Sequence, residues 1–487
     1  MTLDDYYQQM SNNDLIMLAL FVITIVVMLI YARVKHKIPQ MKLNLMWIML
    51  GSILIRLPYM AESFWYDETF TSSMARLSFN QLGEAILYDV HPPLAYLPFW
   101  AGAQVFGTPD MVLRLPSLVL GLVSIWLAYH IAYEILPARA LWGALAVAIM
   151  PMHVIYSTEA RAYMILIVLV MVGVLAIIRD RPAWFLMVTL LPYTHAHGVI
   201  YTIILLFVSM RQKRTVEWIG AYGVILSTGF YAVILLMIQS LDVSDGFWLR
   251  QAGIGGVLGL LPNSLIGGRY LPIFAIVLIP FTFWLAIRAY NHFRLNTWAR
   301  LVLFICIAVP LATTLIAWGL DLNIILARAM LPTAVLWAIL MGLYKPRVYV
   351  ALVIIPLVYG VVSDYQRMDI RGMIADCQNT NAIYAVTTTT AIMAHHYDAR
   401  VVVAPDSDDL NQYYPVELFG IRRAKWDAME GNVCVVYLDN PMGYTHHRRF
   451  VSSIQPVYSE SSYQVNDYTT FEVYKVAKWA MNTTKIP

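Results

Sequence analysis

Long runs of apolar residues alternate with short polar segments over the first three quarters of the chain. The longest runs, such as LIMLALFVITIVVMLIYA at 15–32, are long enough to cross a hydrocarbon core of roughly 30 Å as an α-helix. The pattern predicts a polytopic α-helical membrane protein with about 12 spans. The predicted spans are 15–32, 43–60, 112–133, 140–156, 162–178, 182–193, 198–210, 216–240, 271–287, 301–318, 326–342 and 348–362.

Composition supports a membrane protein. Of the 487 residues, 60% are hydrophobic and 13% are charged, whereas soluble globular chains carry about 25% charged residues. The net charge of +3 is too small to suggest a nucleic-acid partner. The first apolar run has neither a preceding basic segment nor a small-residue cleavage site, so we predict a retained span rather than a signal peptide.

The basic residues between spans predict the orientation, because arginine and lysine concentrate in cytoplasmic loops. They share one side, with about 12 spans, only if residues 92–106 do not cross the membrane. That segment is short for a span and begins with two prolines, so we predict a juxtamembrane helix at the interface. The first acidic loop, 61–111, then lies outside the plasma membrane and faces the periplasm or the cell exterior.

The composition changes from about residue 364. The segments NAIYAV (381–386), ARVVVAP (399–405) and NVCVVYLDN (432–440) predict short buried strands between helical or turn segments. We therefore predict a membrane domain over 1–363 and a small, mixed α/β soluble domain over 364–487 on the non-cytoplasmic side. The latter contains Cys377 and Cys434, which could form one disulfide, while the third cysteine, Cys306, lies in a span.

Two adjacent carboxylates follow the predicted span at 43–60, in the segment SFWYDETF (63–70). Repulsion between Asp67 and Glu68, together with the flanking aromatic residues Trp65 and Phe70, favours protonation of one carboxylate. Such a group suits a general base. The simpler interpretation is a pair of interfacial carboxylates that mark the end of a span.

A second polar segment, YDVHPPL, occupies 88–94. Asp89 and His91 are two residues apart in an extended segment, so their side chains project to the same side. They could orient a sugar, hold a leaving phosphate or bind a divalent cation together with Asp67 and Glu68, although one histidine with carboxylates defines neither geometry nor metal. The alternative is a proline-stiffened turn in which His91 caps the next helix.

Two further segments carry candidate binding residues. Glu159 and Arg161 lie in STEARAY (157–163), where Arg161 could bind phosphate through two parallel hydrogen bonds or form an internal pair with Glu159. His195 and His197 lie in PYTHAHG (192–198), where they could bind a metal or a phosphate or form the polar apex of a hairpin.

The order of these motifs is more informative than any one of them. WYDE (65–68), DVHPPL (89–94), LRLPSLVLGL (113–122) and PMHVIYSTEARAY (151–163) together resemble the GT-C superfamily of glycosyltransferases. The similarity is greatest to the branch that includes protein O-mannosyltransferases and the lipid A aminoarabinose transferase, and it covers residues 47–163. It implies a multi-span inverting enzyme that transfers a sugar from a polyprenyl phosphate to a hydroxyl group of a protein, lipid or glycan acceptor. No cofactor follows from it with certainty, and a divalent cation stays open.

The resemblance also implies roles for individual residues. Asp67 matches the catalytic base of the first loop, and Glu68 accompanies it as in the mannosyltransferases. Asp89 and His91 match the Asp-x-His-Pro-Pro element beside the active site.

Two arginines compete for a later element. Arg328 in LARAMLP resembles the Arg-Tyr-x-x-Pro element that opens a late span, with Ala329 where an aromatic residue is commoner. Arg269 in GGRYLP matches the same pattern. A guanidinium group at either position would stabilise a departing phosphate.

Two other classes of function compete with a transferase. A transporter or flippase of a lipid-linked sugar predicts inverted repeats and charges at the midplane of the membrane. The sequence shows no repeat, and its charges cluster at span ends on one face, which favours an enzyme. A membrane-anchored binding module, in which the C-terminal domain does the work, leaves the WYDE and DVHPPL motifs unexplained.

Overall fold

The computed structural model describes residues 40–87, 89–213, 215–243, 253–266, 284, 287–320, 324–362, 370–378, 380–385, 388–403, 416–422, 433–439, 457–466 and 469–476. Within them, five helices are long and apolar enough to cross a membrane: Leu43–Met60, Asp110–Ile135, Val216–Met237, Thr297–Gly319 and Ala327–Tyr344. These helices, with further shorter apolar ones, support an integral membrane protein. The predicted span at 15–32 and almost all of that at 271–287 lie outside the described residues.

The membrane part contains the helices α1 to α15. In chain order they are Gln40–Met60 (α1), Tyr66–Arg76 (α2), Phe79–Leu87 (α3), Leu97–Phe106 (α4), Asp110–Ile135 (α5), Ala140–Ala148 (α6), Pro151–Tyr156 (α7), Tyr163–Arg179 (α8), Pro182–Phe185 (α9), His197–Gln212 (α10), Val216–Val243 (α11), Ile254–Ile266 (α12), Thr297–Gly319 (α13), Leu331–Tyr344 (α14) and Pro346–Val362 (α15). Short 3₁₀ helices occur at Pro93–Ala95, Pro137–Arg139, Leu186–Leu190 and Ala327–Met330.

The centre of the bundle is formed by α5, α6, α8 and α14, which pack closely against one another. Small residues permit this approach: a Cβ atom at Gly143 of α6 would lie 2.6 Å from the Cβ atom of Ala132 in α5. Close contact through small residues is a general means of associating helices in a bilayer, where burial of apolar surface contributes little.

Two predicted spans are not continuous helices. The segment 140–156 divides into α6 and α7, because Met150 is extended (ψ 118°) and Pro151 begins the next helix. The residue before a proline is sterically disfavoured in the α conformation. The segment 182–193 likewise forms α9 and a 3₁₀ helix that ends at residue 190.

The first predicted loop, 61–111, folds into α2, α3, a 3₁₀ turn and α4. Helix α4 packs on α2: the indole N–H of Trp100 donates to the carbonyl of Leu77 at 2.9 Å, and the amide of Gln104 donates to the carbonyl of Ala75 at 3.1 Å. The helix ends at Gly107, whose φ of +77° suits glycine. Its location at the membrane surface stays a prediction.

The C-terminal part contains a five-stranded sheet. The elements are Ile370–Ala375 (α16), Ala382–Ala385 (β1), Thr388–His395 (α17), Val401–Val403 (β2), a 3₁₀ turn Val416–Phe419, Val433–Asp439 (β3), Val457–Asn466 (β4) and Thr469–Val476 (β5). The strand order is β2-β1-β3-β5-β4; β1 pairs in parallel with β2 and β3, whereas β5 pairs antiparallel with β3 and β4. The three predicted strands are confirmed, β4 and β5 were not predicted, and Cys377 and Cys434 form a disulfide.

The hydrophobic core of this sheet is shared with the first loop. Phe70 and Met74 of α2 belong to the same buried cluster as Ile370 of α16 and Ile383 of β1. The predicted domain boundary at residues 363 and 364 lies outside the described residues. The C-terminal part is therefore packed on α2 rather than built around a core of its own.

Candidate active site

Asp67 and Glu68 occupy the first turn of α2, immediately after the extended residue Trp65. Carboxylates are favourable at this end of a helix because of its partial positive charge. Successive residues of a helix point about 100° apart. The two side chains therefore diverge into different surroundings, although they are neighbours in sequence.

Glu68 is completely buried and forms a two-pronged ion pair with Arg114 of α5. The guanidinium group donates from Nε to Oε1 at 2.8 Å and from Nη2 to Oε2 at 2.7 Å. The backbone N–H of Ala160 also donates to Oε1, at 2.9 Å. Glu68 thus ties α2 to α5 and to the segment that carries Arg161.

Arg114 has a second task in holding the turn between α1 and α2. Its guanidinium group lies over the ring of Phe64, with Cζ 4.8 Å from the ring centroid. It also donates to four backbone carbonyl groups, those of Tyr59, Met60, Glu62 and Ser63. The Glu68–Arg114 pair consequently determines where the turn places Asp67.

Asp67 is partly exposed and lies between two arginines. Its Oδ2 atom is 3.2 Å from Nη2 of Arg161 and 3.3 Å from Nη1 of Arg328. The side chain of Asp67 is 16% exposed, and its Oδ1 atom accepts no hydrogen bond from the residues that the structure describes. Two positive charges therefore meet one carboxylate, which keeps one oxygen open.

The mutual repulsion expected of Asp67 and Glu68 is offset, because each carboxylate has its own cation. Arg161 was expected to bind phosphate or to pair with Glu159. Its guanidinium group contacts Asp67 and His91, while its backbone N–H donates to the carbonyl of Glu159 at 2.8 Å. Glu159 itself is buried in the same turn.

Asp89 and His91 form a relay that ends at Arg161. Oδ2 of Asp89 accepts hydrogen bonds from the backbone N–H and Nδ1 of His91, both at 3.1 Å, and from the hydroxyl of Tyr96. Nε2 of His91 lies 3.1 Å from Nη2 of Arg161. Since a guanidinium group can only donate, this network assigns the proton of a neutral His91 to Nδ1.

Burial and charge set the protonation of this relay. Burial, reinforced by the negative charge of Asp89, raises the pKa of Tyr96 well above its ordinary value, so its hydroxyl stays a donor. Burial lowers the pKa of Arg161, but the charge of Asp67 more than offsets this, and the net pKa lies above the ordinary value. Arg161 is therefore a permanent cation.

His195 completes the wall of the site. Its ring centroid lies 5.9 Å from that of His91 and 5.7 Å from that of Tyr163. Burial, followed by the neighbouring His197, lowers the pKa of His195 well below its ordinary value, so the ring is neutral near pH 7. Gly198 permits this turn, because a Cβ atom there would lie 1.9 Å from the carbonyl oxygen of Leu191.

The segment that carries Arg161 is held on its other side by Arg56 of α1. Nε of Arg56 donates to the hydroxyl of Ser157 at 2.6 Å, and Nη2 lies 2.7 Å from Nδ1 of His153. Nε2 of His153 in turn lies 2.6 Å from the hydroxyl of Ser124. All four side chains are buried, so they join α1, α5 and α7 beneath the site.

A polar cluster on the far side of α2 joins the C-terminal part to the bundle. Asp110, the first residue of α5, accepts hydrogen bonds from Arg371 at 2.6 Å and from the hydroxyl of Tyr397 at 2.9 Å. Nε2 of His396 lies 2.9 Å from its other oxygen. The hydroxyl of Tyr397 also accepts a hydrogen bond from the backbone N–H of Phe64 at 2.7 Å. We call these four side chains, Asp110, Arg371, His396 and Tyr397, the docking cluster.

The structure brings together most of the residues predicted from the sequence. Arg269 lies outside the described residues, so its competition with Arg328 stays open. The assembled set is Asp67, Asp89, His91, Arg161, His195 and Arg328, with Glu68 buried behind it and Glu159 beside it.

The arrangement does not fit the divalent cation considered for Asp67, Asp89 and His91. The guanidinium group of Arg161 lies between Asp67 and His91, and Asp89 is occupied by His91 and Tyr96. The described part of the chain contains no group of three or more His, Cys, Asp or Glu residues placed to hold a metal. Two arginines at the open carboxylate would repel a cation.

Sequence reasoning missed Arg114 and the docking cluster. Arg114 lies within the LRLPSLVLGL motif, and a charged residue inside an apolar run is a signal that could have identified it. Asp110 and its partners carry no such signal, because their contacts span 261 to 287 residues of sequence.

Comparisons with known proteins agree with the resemblance. Residues 90–237 match the family described as "Dolichyl-phosphate-mannose-protein mannosyltransferase", and residues 254–407 match "Oligosaccharyl transferase STT3, N-terminal". His91, Arg161 and Arg328 lie within the matched ranges, whereas Asp67 and Glu68 precede both. Comparison with curated protein sequences gives no match.

Two solved structures align with this chain over most of its length. They are ArnT from Cupriavidus metallidurans in the apo state (TM-score 0.49) and the same protein bound to undecaprenyl phosphate (TM-score 0.43). Each is 14% identical, with 88% of this chain and 97% of that chain covered. The two family matches, which together cover most of the chain beyond the first loop, support membership of the GT-C superfamily of glycosyltransferases.

Proposed function

We propose that the protein transfers a sugar from a polyprenyl-phosphate donor to a hydroxyl group of an acceptor, with Asp67 as general base. The observation that carries this proposal is the pairing of one partly exposed carboxylate with two guanidinium groups. One oxygen of Asp67 is open to take a proton. The two arginines carry one more positive charge than the carboxylate neutralises, so they can bind a second anion. A donor linked through phosphate supplies that anion.

The donor class rests on charge and on the family matches. Guanidinium groups bind phosphate through parallel hydrogen bonds. The first matched family is named for a dolichyl-phosphate-linked mannose, which is a polyprenyl-phosphate sugar. A bound phosphate would share Arg161 and Arg328 with Asp67, so that donor binding itself would make the carboxylate a better proton acceptor.

The reaction would then be a single displacement. Oδ1 of Asp67 takes the proton of the acceptor hydroxyl as its oxygen attacks the anomeric carbon. The bond between that carbon and the phosphate oxygen breaks, and the polyprenyl phosphate leaves with the bonding electrons. Arg161 and Arg328 stabilise the charge that develops on the leaving group. Attack from the face opposite the leaving group inverts the configuration of the sugar.

The remaining residues would position these groups. Asp89 and His91 would orient Arg161, because the carboxylate of Asp89 holds the ring of His91, which contacts the guanidinium group. Glu68, which the sequence suggested as a second catalytic carboxylate, is buried against Arg114 and so would position the turn rather than touch substrate. His195 and Glu159 border the same space as candidate contacts to the sugar.

The disulfide supports a proposal for the orientation of the site. Disulfides form and persist in oxidising compartments, outside the cytoplasm. The Cys377–Cys434 bond lies in the C-terminal part, which contacts α2 and the α1–α2 turn directly. We infer that Asp67 lies on the same side of the membrane as the disulfide and faces the periplasm or the cell exterior. This agrees with the orientation predicted from the basic loops and with the predicted topology of about 12 spans.

The experiment is turnover of a panel of radiolabelled polyprenyl-phosphate sugars by the purified protein. We expect Asp67→Asn to lower donor consumption by about 10²–10⁴-fold, the usual contribution of a general base. Glu84→Gln removes an exposed carboxylate from the neighbouring α3 and is the matched control.

Three results would redirect the proposal. Consumption that survives in a folded Asp67→Asn variant would retain the transferase but reject Asp67 as its base. Equal losses in the Asp67 and Glu84 variants would indicate a nonspecific effect of charge. A wild-type protein that binds a donor without consuming it would favour the transporter or flippase.

A further inference from the structure

A groove opens between α10 and α13 at the end of the bundle that lies away from Asp67. It has a volume of about 390 Å³, and its lining includes Phe207 and Arg211 of α10 and Arg300 and Phe304 of α13. Helix α10 begins at His197, beside the active site. Arg211 therefore lies about 20 Å away along the helix, at a rise of 1.5 Å per residue.

The groove is polar at one end and apolar along its length. Arg211, Arg300 and Tyr290 supply donors from the last turn of α10, the first turn of α13 and the segment before it. The rings of Phe207 and Phe304 stack with centroids 6.0 Å apart. Ile307, nearly three turns into α13, continues this apolar surface and is largely exposed.

Both arginines are available to a ligand. In the part of the chain that the structure describes, neither Arg211 nor Arg300 pairs with a carboxylate, and both are exposed. By contrast, Arg179 at this end pairs with Glu134 at 2.8 Å. The guanidinium group of Arg211 lies 4.5 Å above the ring of Phe207, which holds it over the groove.

The general concentration of arginine and lysine in cytoplasmic loops explains why arginines occur at this end of the bundle. It does not explain why a groove lies between two of them. The apolar surface belongs to α13, a helix long and apolar enough to cross the membrane. A ligand in the groove must therefore carry an anionic group at one end and a hydrocarbon chain at the other. A soluble anion would match only the arginines, and an apolar peptide would match only the phenylalanines.

We propose that this groove binds an anionic phospholipid, with the phosphate between Arg211 and Arg300 and an acyl chain along Phe207, Phe304 and Ile307. Basic pockets between membrane helices recognise anionic lipid headgroups through this combination of charge and apolar surface. The site is separate from the proposed donor site, which lies at the other end of the bundle. The lipid would be a structural or regulatory partner and not a substrate.

The test is a titration of the purified full-length protein with phosphatidylglycerol and with phosphatidylcholine of the same acyl chains, followed by native mass spectrometry. We expect tighter binding of phosphatidylglycerol. The double variant Arg211→Gln/Arg300→Gln should weaken that binding by about 30-fold, because each basic residue near a membrane surface contributes about fivefold to the affinity. Arg211→Lys/Arg300→Lys should retain most of it.

The matched control is Arg288→Gln/Arg294→Gln. These two arginines are exposed at the same end of the bundle and do not line the groove, and their substitution removes the same amount of charge. We expect the control variant to bind phosphatidylglycerol as the wild type does. An equal loss in both double variants would overturn the groove as the site, and so would unchanged binding by Arg211→Gln/Arg300→Gln or equal affinity for the two lipids.

Discussion

At the scale of residues, two neighbouring carboxylates acquire opposite tasks. Glu68 has no exposed surface and is enclosed by Arg114, whereas Asp67 is partly exposed between Arg161 and Arg328. A buried, fully paired carboxylate contributes to structure, and removal of one member leaves an uncompensated buried charge. An exposed carboxylate with an open oxygen is available for proton transfer.

Stability measurements should separate the two residues. Glu68→Gln leaves Arg114 buried without its counter-charge, so we expect it to lower the free energy of unfolding by about 3–5 kcal/mol. Asp67→Asn should lower turnover by about 10²–10⁴-fold with a much smaller loss of stability, because its site is partly hydrated. Thermal unfolding in detergent and donor turnover would be measured side by side. A Glu68→Gln variant that is inactive yet as stable as the wild type would assign Glu68 to the chemistry instead.

Donor affinity should depend on Arg328. Arg328→Gln removes one of the two guanidinium groups at Asp67, and a hydrogen bond to a charged group contributes about 1.5–3 kcal/mol, or about 10- to 150-fold in affinity. We expect a loss of that size in the affinity for polyprenyl phosphate, with an intermediate value for Arg328→Lys.

Arg294→Gln serves as the control, since that arginine is exposed in the segment before α13, away from the site. The measurement is equilibrium binding of radiolabelled polyprenyl phosphate. Unchanged affinity in Arg328→Gln would show that its guanidinium group does not reach the donor phosphate, and would direct attention to Arg269.

At the scale of elements, the first turn of α5 connects the site to the C-terminal part. Asp110 and Arg114 are four residues apart and so lie on one face of the helix. Asp110 holds Arg371, His396 and Tyr397, while Arg114 holds Glu68. The C-terminal part is thereby linked to the turn that presents Asp67, and we infer that its docking is needed for activity.

Asp110→Asn should weaken this docking. The change removes the ion pair with Arg371, and we expect a loss of about 1.5–3 kcal/mol, the contribution of a hydrogen bond to a charged group. Limited proteolysis of the C-terminal part should become faster, and turnover should fall with it.

Asp398→Asn removes a carboxylate from the same C-terminal part, where it pairs with the more exposed Arg400, and is expected to change neither property. Faster proteolysis with full turnover in Asp110→Asn would separate docking from catalysis and contradict the inference.

At the scale of the whole molecule, the two ends of the bundle differ in chemistry. One end holds the proposed active site and the disulfide-linked C-terminal part, and the other holds the groove with Arg211 and Arg300. This difference matches the two sides of a plasma membrane. The compartment outside the cytoplasm permits disulfides, and the cytoplasmic leaflet is rich in anionic lipid.

Labelling of introduced cysteines should reveal this orientation. Ala399→Cys lies in an exposed turn of the C-terminal part, and Leu295→Cys lies at a position 89% exposed before α13. A membrane-impermeant maleimide should label Ala399→Cys on intact cells and Leu295→Cys only after permeabilisation. The natural cysteines give little background, since Cys306 is buried and the other two are paired. The reverse labelling pattern would invert the proposed topology.

Much of the fold could be predicted because its signals are local. Helix α5 can be predicted from its apolar run, and β1 to β3 from short apolar runs. The strands β4 and β5 were missed, since polar residues interrupt their apolar positions and they form by antiparallel pairing with β3 and with each other. The break at Met150 was missed because an apolar run continues through it.

The sequence by itself determined the membrane character of the protein, most described helices, three strands and the motifs that indicate a glycosyltransferase. These properties depend on side chains close together in the chain. Only the tertiary structure decided that Asp67 faces Arg161 and Arg328 while Glu68 faces Arg114, and that Asp110 receives the C-terminal part. The physical reason is that ion pairs in a low-dielectric interior depend on distances in space, and these pairs join residues 46 to 261 positions apart.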